Sequence, residues 1–151
     1  MRRRKGRLVI LADTREQLPF VFRNHTVRRT KLDTGDYTLH GYKSRISVER
    51  KGFGDFLCCL GAKWEKFVGP GGQVDRLHAL DFSLLVGEGT VRRAQASCYT
   101  QHRMTERVII KRLAELSMWV PVLLCDTRLM ARDATLEFLI KAKEMIDGKT
   151  T

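Results

Sequence analysis

The sequence predicts an α/β domain. Three short apolar runs, Leu8 to Ala12, Phe82 to Val86 and Val120 to Cys125, have strand length and end at acidic, glycine or turn residues. Between and after them lie segments with apolar residues at helical spacing: Phe53 to Leu60, Glu106 to Met118, and about Leu129 to Ile146. Strands alternating with helices in the second half argue for a layered sheet with parallel pairing.

The elements follow in order. Leu8 to Ala12 reads as a buried strand that delivers Asp13 at its end, and Gln17-Leu18-Pro19-Phe20 reads as a loop. His25 to Leu32 is β-branched with alternating charge, which suggests a second strand before the turn cluster Asp33-Thr34-Gly35-Asp36. Tyr37 to His40 and Arg45 to Glu49 form a hairpin through Gly41-Tyr42-Lys43-Ser44. The helix from Phe53 is followed by Trp64 to Phe67, which extends it or opens another. Gly69-Pro70-Gly71-Gly72 reads as a hinge or disordered tip, since it lacks the lysine and hydroxyl residue of a phosphate-binding loop. Val74 to Leu80 is weakly helical. Phe82 to Val86 is a strand stopped by Gly87-Glu88-Gly89, and the proline of Val120-Pro121 is tolerated near a strand start. The last helix points Leu136, Leu139, Ile140 and Met145 at the core.

The 151 residues, 43% hydrophobic, suit one domain at 8–147, with a basic arm at 1–7 and a tail at 148–151. No apolar run approaches the roughly 20 residues of a bilayer span, and the basic start is followed by too short an apolar stretch for a secretory signal. The expectation is an intracellular protein acting off the membrane. A net charge of +11 favours polyanions, because neutralising phosphates releases counterions. Arg2, Arg3, Arg4, Lys5 and Arg7 are candidate DNA contacts, with a solubilising tail as the alternative. Cys58, Cys59, Cys98 and Cys125 form no Cys-x-x-Cys pair and lie far from the histidines, so they read as reduced thiols.

Chemistry concentrates in the first third. On a strand, Ile46 and Val48 face the core while Ser47, Glu49 and Lys51 face the other way, Glu49 and Lys51 roughly 7 Å apart. That spacing sets a carboxylate on a metal and an ammonium beside the same attacking water. Arg50 then falls on the apolar face and needs an acid, for which Asp13, Glu16 and Asp55 are candidates. Asp36 adds a second oxygen ligand, which suits magnesium completed by phosphate and water. Asp13 is the candidate third ligand, and a second metal fits if Asp13 or Glu16 reaches the site. Lys51 orients the water or stabilises the transition state, with general-base action only if its pKa is lowered.

Among other residues, Trp64, Phe67 and Trp119 could stack on unpaired bases but read first as packing residues. Nothing pairs His78 or His102 with the carboxylates. Arg92, Arg93, Arg103, Arg107, Lys111 and Arg112 form a basic stretch, equally a solvated helix face or a phosphate surface.

The order Asp13-x-Arg15-Glu16, Gly35-Asp36-Tyr37, Val48-Glu49-Arg50-Lys51-x-x-x-Asp55 resembles the nuclease domain of the XPF family of structure-specific DNA endonucleases, over most of the chain. The resemblance implies a restriction-endonuclease-like three-layer fold with a central mixed sheet flanked by helices. It also implies magnesium or manganese dependence and cutting of branched DNA near single-strand to double-strand junctions. Asp36 and Glu49 would bind metal and Lys51 would be catalytic. Asp13, Arg15, Glu16, Arg50 and Asp55 would support the site. A homodimer or partner subunit is implied as well. Three features depart from the pattern: Gly52 stands where a serine is common, 151 residues leave no room for the tandem helix-hairpin-helix domain of the repair members, and no helicase domain is expected. An excised domain and a compact stand-alone enzyme both fit. The alternatives are a non-catalytic DNA-binding subunit on the same fold and, more weakly, a basic RNA-binding protein.

Overall fold

The computed structural model describes residues 6–97 and 104–148. Arg2, Arg3, Arg4, Lys5, Cys98, His102 and Arg103 lie outside the described residues. Six strands, β1 (Val9–Asp13), β2 (Thr26–Thr30), β3 (Tyr37–Leu39), β4 (Ile46–Lys51), β5 (Phe82–Glu88) and β6 (Val122–Cys125), form one sheet. Its order is β2-β1-β3-β4-β5-β6. The β1–β2, β4–β5 and β5–β6 pairs are parallel, and β3 runs antiparallel to both β1 and β4. The sheet is thus mixed, with the parallel pairs expected of the second half.

Helices cover both faces. On one side lie α1 (Phe53–Leu60), α2 (Trp64–Val68), α3 (Gln73–His78), α4 (Val91–Ser97) and α5 (Glu106–Leu116). They bury Phe56, Leu57, Leu60, Leu77, Ile109 and Leu116 against Leu85. On the other side α6 (Arg128–Ile146) packs Ala131, Leu139 and Ala142 over Ile10, Ile46, Val48, Leu84 and Val86. The 3.6-residue period of α1 and α6 and the two-residue period of β4 therefore deliver the cores they encode.

The loop after β1 contributes to that second core although it carries no period. Phe20 stacks on Tyr37 at 5.0 Å between centroids, and Phe22 meets Tyr37 edge-on at 6.3 Å. This aromatic trio seals the end of the sheet where Asp13 and Asp36 emerge.

Three expectations change, and one helix was not expected. Gly87 and Glu88 continue β5 rather than stopping it, because they pair with Leu124 and Cys125 of β6. The turn at 69–72 is held in place rather than being a loose tip: the Gly69 amide donates to Glu65, the Gly72 amide to Gly69 and the Gly71 amide to Asp75. Met145 is 45% exposed, since Leu139, Ala142 and Ile146 already define the buried stripe of α6. Residues 91–97 form a helix that apolar periodicity does not reveal. Its start is marked by Thr90, whose hydroxyl accepts from the Arg93 amide at 3.0 Å.

Candidate active site

β1 ends at Asp13, whose backbone amide donates to the Asp36 carbonyl at 2.8 Å, while the Asp36 amide donates to Val48 at 2.8 Å. These bonds fix Asp36 just before β3. The turn requires glycine before it: Gly35 has φ +72° and a Cβ there would sit 1.9 Å from Ser47 Oγ. With Tyr37 opposite Val48 in the β3–β4 pair, Asp36 falls beside Glu49. Both line one cavity of about 230 Å³ together with Arg15, Glu16, Arg50, Lys51 and Asp55.

The predicted alternation of β4 holds at this end. Glu49 and Lys51 share the face toward α1 and pair at 2.9 Å, Lys51 Nζ lying 5.9 Å over the Phe67 ring. Arg50 points to the opposite face. Its backbone amide donates to Asp36 Oδ2 at 2.8 Å, so the strand itself holds one oxygen of that carboxylate.

Electrostatics set the protonation states. Burial, then the facing Glu49 charge, raise the Asp36 pKa well above the ordinary carboxylate range. Burial alone would lower the Lys51 pKa, but Glu49 and Asp36 more than offset it, so Lys51 is held as an ammonium. The condition for general-base action, a lowered pKa, is therefore not met. Near neutral pH the metal-free site keeps a proton on Asp36, and a divalent cation would take that proton's place. Two carboxylates are enough for magnesium when phosphate and water complete the shell. Among the described residues no group of three or more His, Cys, Asp or Glu side chains is arranged to hold a metal ion.

Asp13 is brought to the strand end but not into the cavity lining. Its carboxylate accepts from the Arg15 amide, the Arg15 Nε at 2.7 Å, a further Arg15 nitrogen, and the Leu32 amide at 2.7 Å. Burial would raise its pKa, yet these bonds with Arg15 and the backbone bring it down to about 2. Asp13 ties the loop after β1 to the turn before β3, and Arg15 is left at the cavity rim. Asp55, on the first turn of α1, lines the cavity from the α1 side, while the acids paired with the Arg50 side chain are Glu88 and Glu16.

The partner of Arg50 includes a residue the sequence did not offer. Its Nε donates to Glu88 at 2.6 Å, and Glu16 lies at 3.4 Å. Glu88 in turn sits 3.6 Å from Arg128 at the start of α6. Glu16 also accepts from the Tyr37 hydroxyl at 2.8 Å, and that hydroxyl accepts from the Phe20 amide at 2.9 Å. Tyr37, read as part of the turn motif, is thus a structural post under Glu16. The signal for Glu88 was an acid at the end of an apolar strand beside β4. Gln73 and Arg76 also line the cavity, and nothing in their spacing marks them.

Trp64 and Phe67 are buried, as packing residues would be, and Trp119 is 38% exposed. His78 Nδ1 donates to the Trp119 carbonyl at 2.8 Å, and His78 does not line the acidic cavity. Of the basic stretch, Arg112 packs over Trp64 and donates to the Leu60 carbonyl, a structural role, while Arg92, Arg107 and Lys111 are exposed.

Neither a family model nor a curated protein sequence matches the chain. A solved structure does: XPF from Aeropyrum pernix, with a TM-score of 0.63 and 20% identity, covering 93% of this chain and 68% of that one. The chain has the fold of XPF. Within that XPF-like fold, the strand ends of β1, β3 and β4 converge on the acidic cavity just described. No helix among the described residues is long and apolar enough to cross a membrane.

Proposed function

We propose that the chain is a metal-dependent endonuclease of the XPF type that hydrolyses phosphodiester bonds in branched or flapped DNA. One observation carries this: half-buried Asp36 and buried Glu49 are held side by side against the Lys51 ammonium. Two carboxylates so placed offer oxygen ligands to a divalent cation, which would displace the proton that the raised Asp36 pKa keeps there near neutral pH. Asp36 and Glu49 are the residues that would hold magnesium or manganese. The cation would polarise the scissile phosphate and lower the pKa of bound water.

The chain's own groups supply the rest. Lys51 stays protonated and stabilises negative charge developing on the phosphate, and it orients the water rather than taking its proton. Asp13 positions the loop that presents Arg15 at the rim. Glu16 and Glu88 hold Arg50, whose backbone amide in turn fixes Asp36. Asp55 closes the site beside Lys51. The net charge of +11 draws DNA to the surface without regard to sequence, and Arg7 of the basic arm is exposed to join it. A homodimer or partner subunit belongs to the same reading, supported by exposed Met118, Leu123 and Leu129 near the free edge of β6.

The test compares Asp36→Ala and Lys51→Ala with the parent protein. Both lose cleavage of a flapped DNA while binding it as before. Cutting at parental rates by both variants would overturn the assignment of the site.

A further inference from the structure

A second cavity, of about 810 Å³, adjoins the acidic one and shares Lys51, Asp55, Gln73 and Arg76 with it. Its walls are Lys63 and Lys66 on one side, Arg76 on the other, and the glycine turn at 69–72 between them. Lys63 and Lys66 are exposed and make no ion pair among the described residues, while Glu65 is the one acid added to the shared Asp55. Phe67 and Cys59 form an apolar floor.

The turn makes the wall bare and fixed. Gly71 has φ +71°, and a Cβ at Gly72 would lie 2.5 Å from the Lys66 carbonyl. Arg76 donates to the Gly71 carbonyl at 2.6 Å and the Gly71 amide donates to Asp75, so the backbone is clamped from both sides. Apart from Pro70 the turn presents backbone alone, which lets a ligand approach it closely.

Size selects the occupant. A cleft of this volume takes a group of small-ligand dimensions. A double helix, whose major groove alone is about 12 Å wide, does not enter it. Separate cations above an apolar floor match the way single-strand sites follow a backbone while sheltering bases.

We propose that this cleft binds one or two unpaired nucleotides next to the scissile phosphate, with Lys63 and Lys66 on their phosphates. The proposal rests on the nuclease reading and deepens it: preference for a branch comes from the need to lead an unpaired strand past Lys51 into a space closed to duplex. Arg76 keeps the turn in place as well as lining the cleft, so it is the less clean probe.

The test is equilibrium binding in EDTA, where nothing is cut, of a flapped DNA and of a plain duplex of equal length, across a salt series. The double variant Lys63→Gln/Lys66→Gln is compared with the parent, its melting temperature serving as the check on folding. Two single-strand phosphate contacts contribute about 0.7 each to the slope of log K against log salt. The slope for flapped DNA is therefore expected to become shallower by about 1.4, with the duplex unchanged. Equal losses on both DNAs, or none on either, would overturn the cleft assignment alone. A parent protein that binds neither DNA would overturn it together with the nuclease reading.

Discussion

Replacing Asp36 by asparagine should stabilise the metal-free protein at neutral pH. Asp36 is half-buried beside Glu49 and its pKa is raised from 3.8 to about 8. A carboxyl with a raised folded-state pKa favours the folded state fully below its unfolded value. That contribution is lost as pH climbs toward the folded value. At pH 7 the full cost to the folded state is at most about 4 kcal/mol. An asparagine there is itself desolvated, which takes back part of that gain, so about 1–3 kcal/mol should be recovered by the variant. Asparagine keeps an oxygen for the Arg50 amide, so the hydrogen bond at 2.8 Å survives. For a domain of this size the gain is a rise of about 3–10 °C in melting temperature. The assay is thermal unfolding from pH 4 to 8 in EDTA and in magnesium. In EDTA the two proteins should coincide near pH 4 and diverge as pH rises. Magnesium at tenfold its dissociation constant should then raise the parent by about 1.4 kcal/mol and leave the variant almost unmoved. An Asp36→Asn protein that is less stable in EDTA, by a margin that widens with pH, would refute the electrostatic account.

Two further outcomes follow from neighbouring residues. Glu88→Ala leaves Arg50 with Glu16 alone at 3.4 Å, and should cost about 1–3 kcal/mol in urea unfolding; it should also slow cleavage more than it weakens DNA binding, because Arg50 carries the amide that fixes Asp36. Gly52→Ser should stabilise by about 0.5–1 kcal/mol in the same measurement, since Gly52 has extended backbone angles at the start of α1, lacks a side-chain cap and has open space at its Cβ.

The acidic strand end was legible because β4 obeys a two-residue alternation: once Ile46 and Val48 are assigned to the core, Glu49 and Lys51 must share the other face. Asp13 and Asp36 were legible as residues that end or open strands. Their division of labour was not, because it depends on where Arg15 and the Leu32 amide sit, and chain separation hides that. Glu88 was hidden by Gly87, which looks like a strand stop until its pairing with Leu124 of β6 is seen. Phe20 and Phe22 pack from a loop with no period, so only the folded chain shows them around Tyr37. The glycine turn looked loose for lack of side chains, and its order comes from backbone bonds and the Asp75 and Arg76 side chains.

The most direct test of the central claim is cleavage of an end-labelled panel of flap, fork, four-way junction, plain duplex and single strand, with magnesium, with manganese and with EDTA. The account predicts cutting of the branched forms that requires metal and disappears in Lys51→Ala. Tight binding without cutting under every metal condition would contradict it and leave the non-catalytic subunit as the better description.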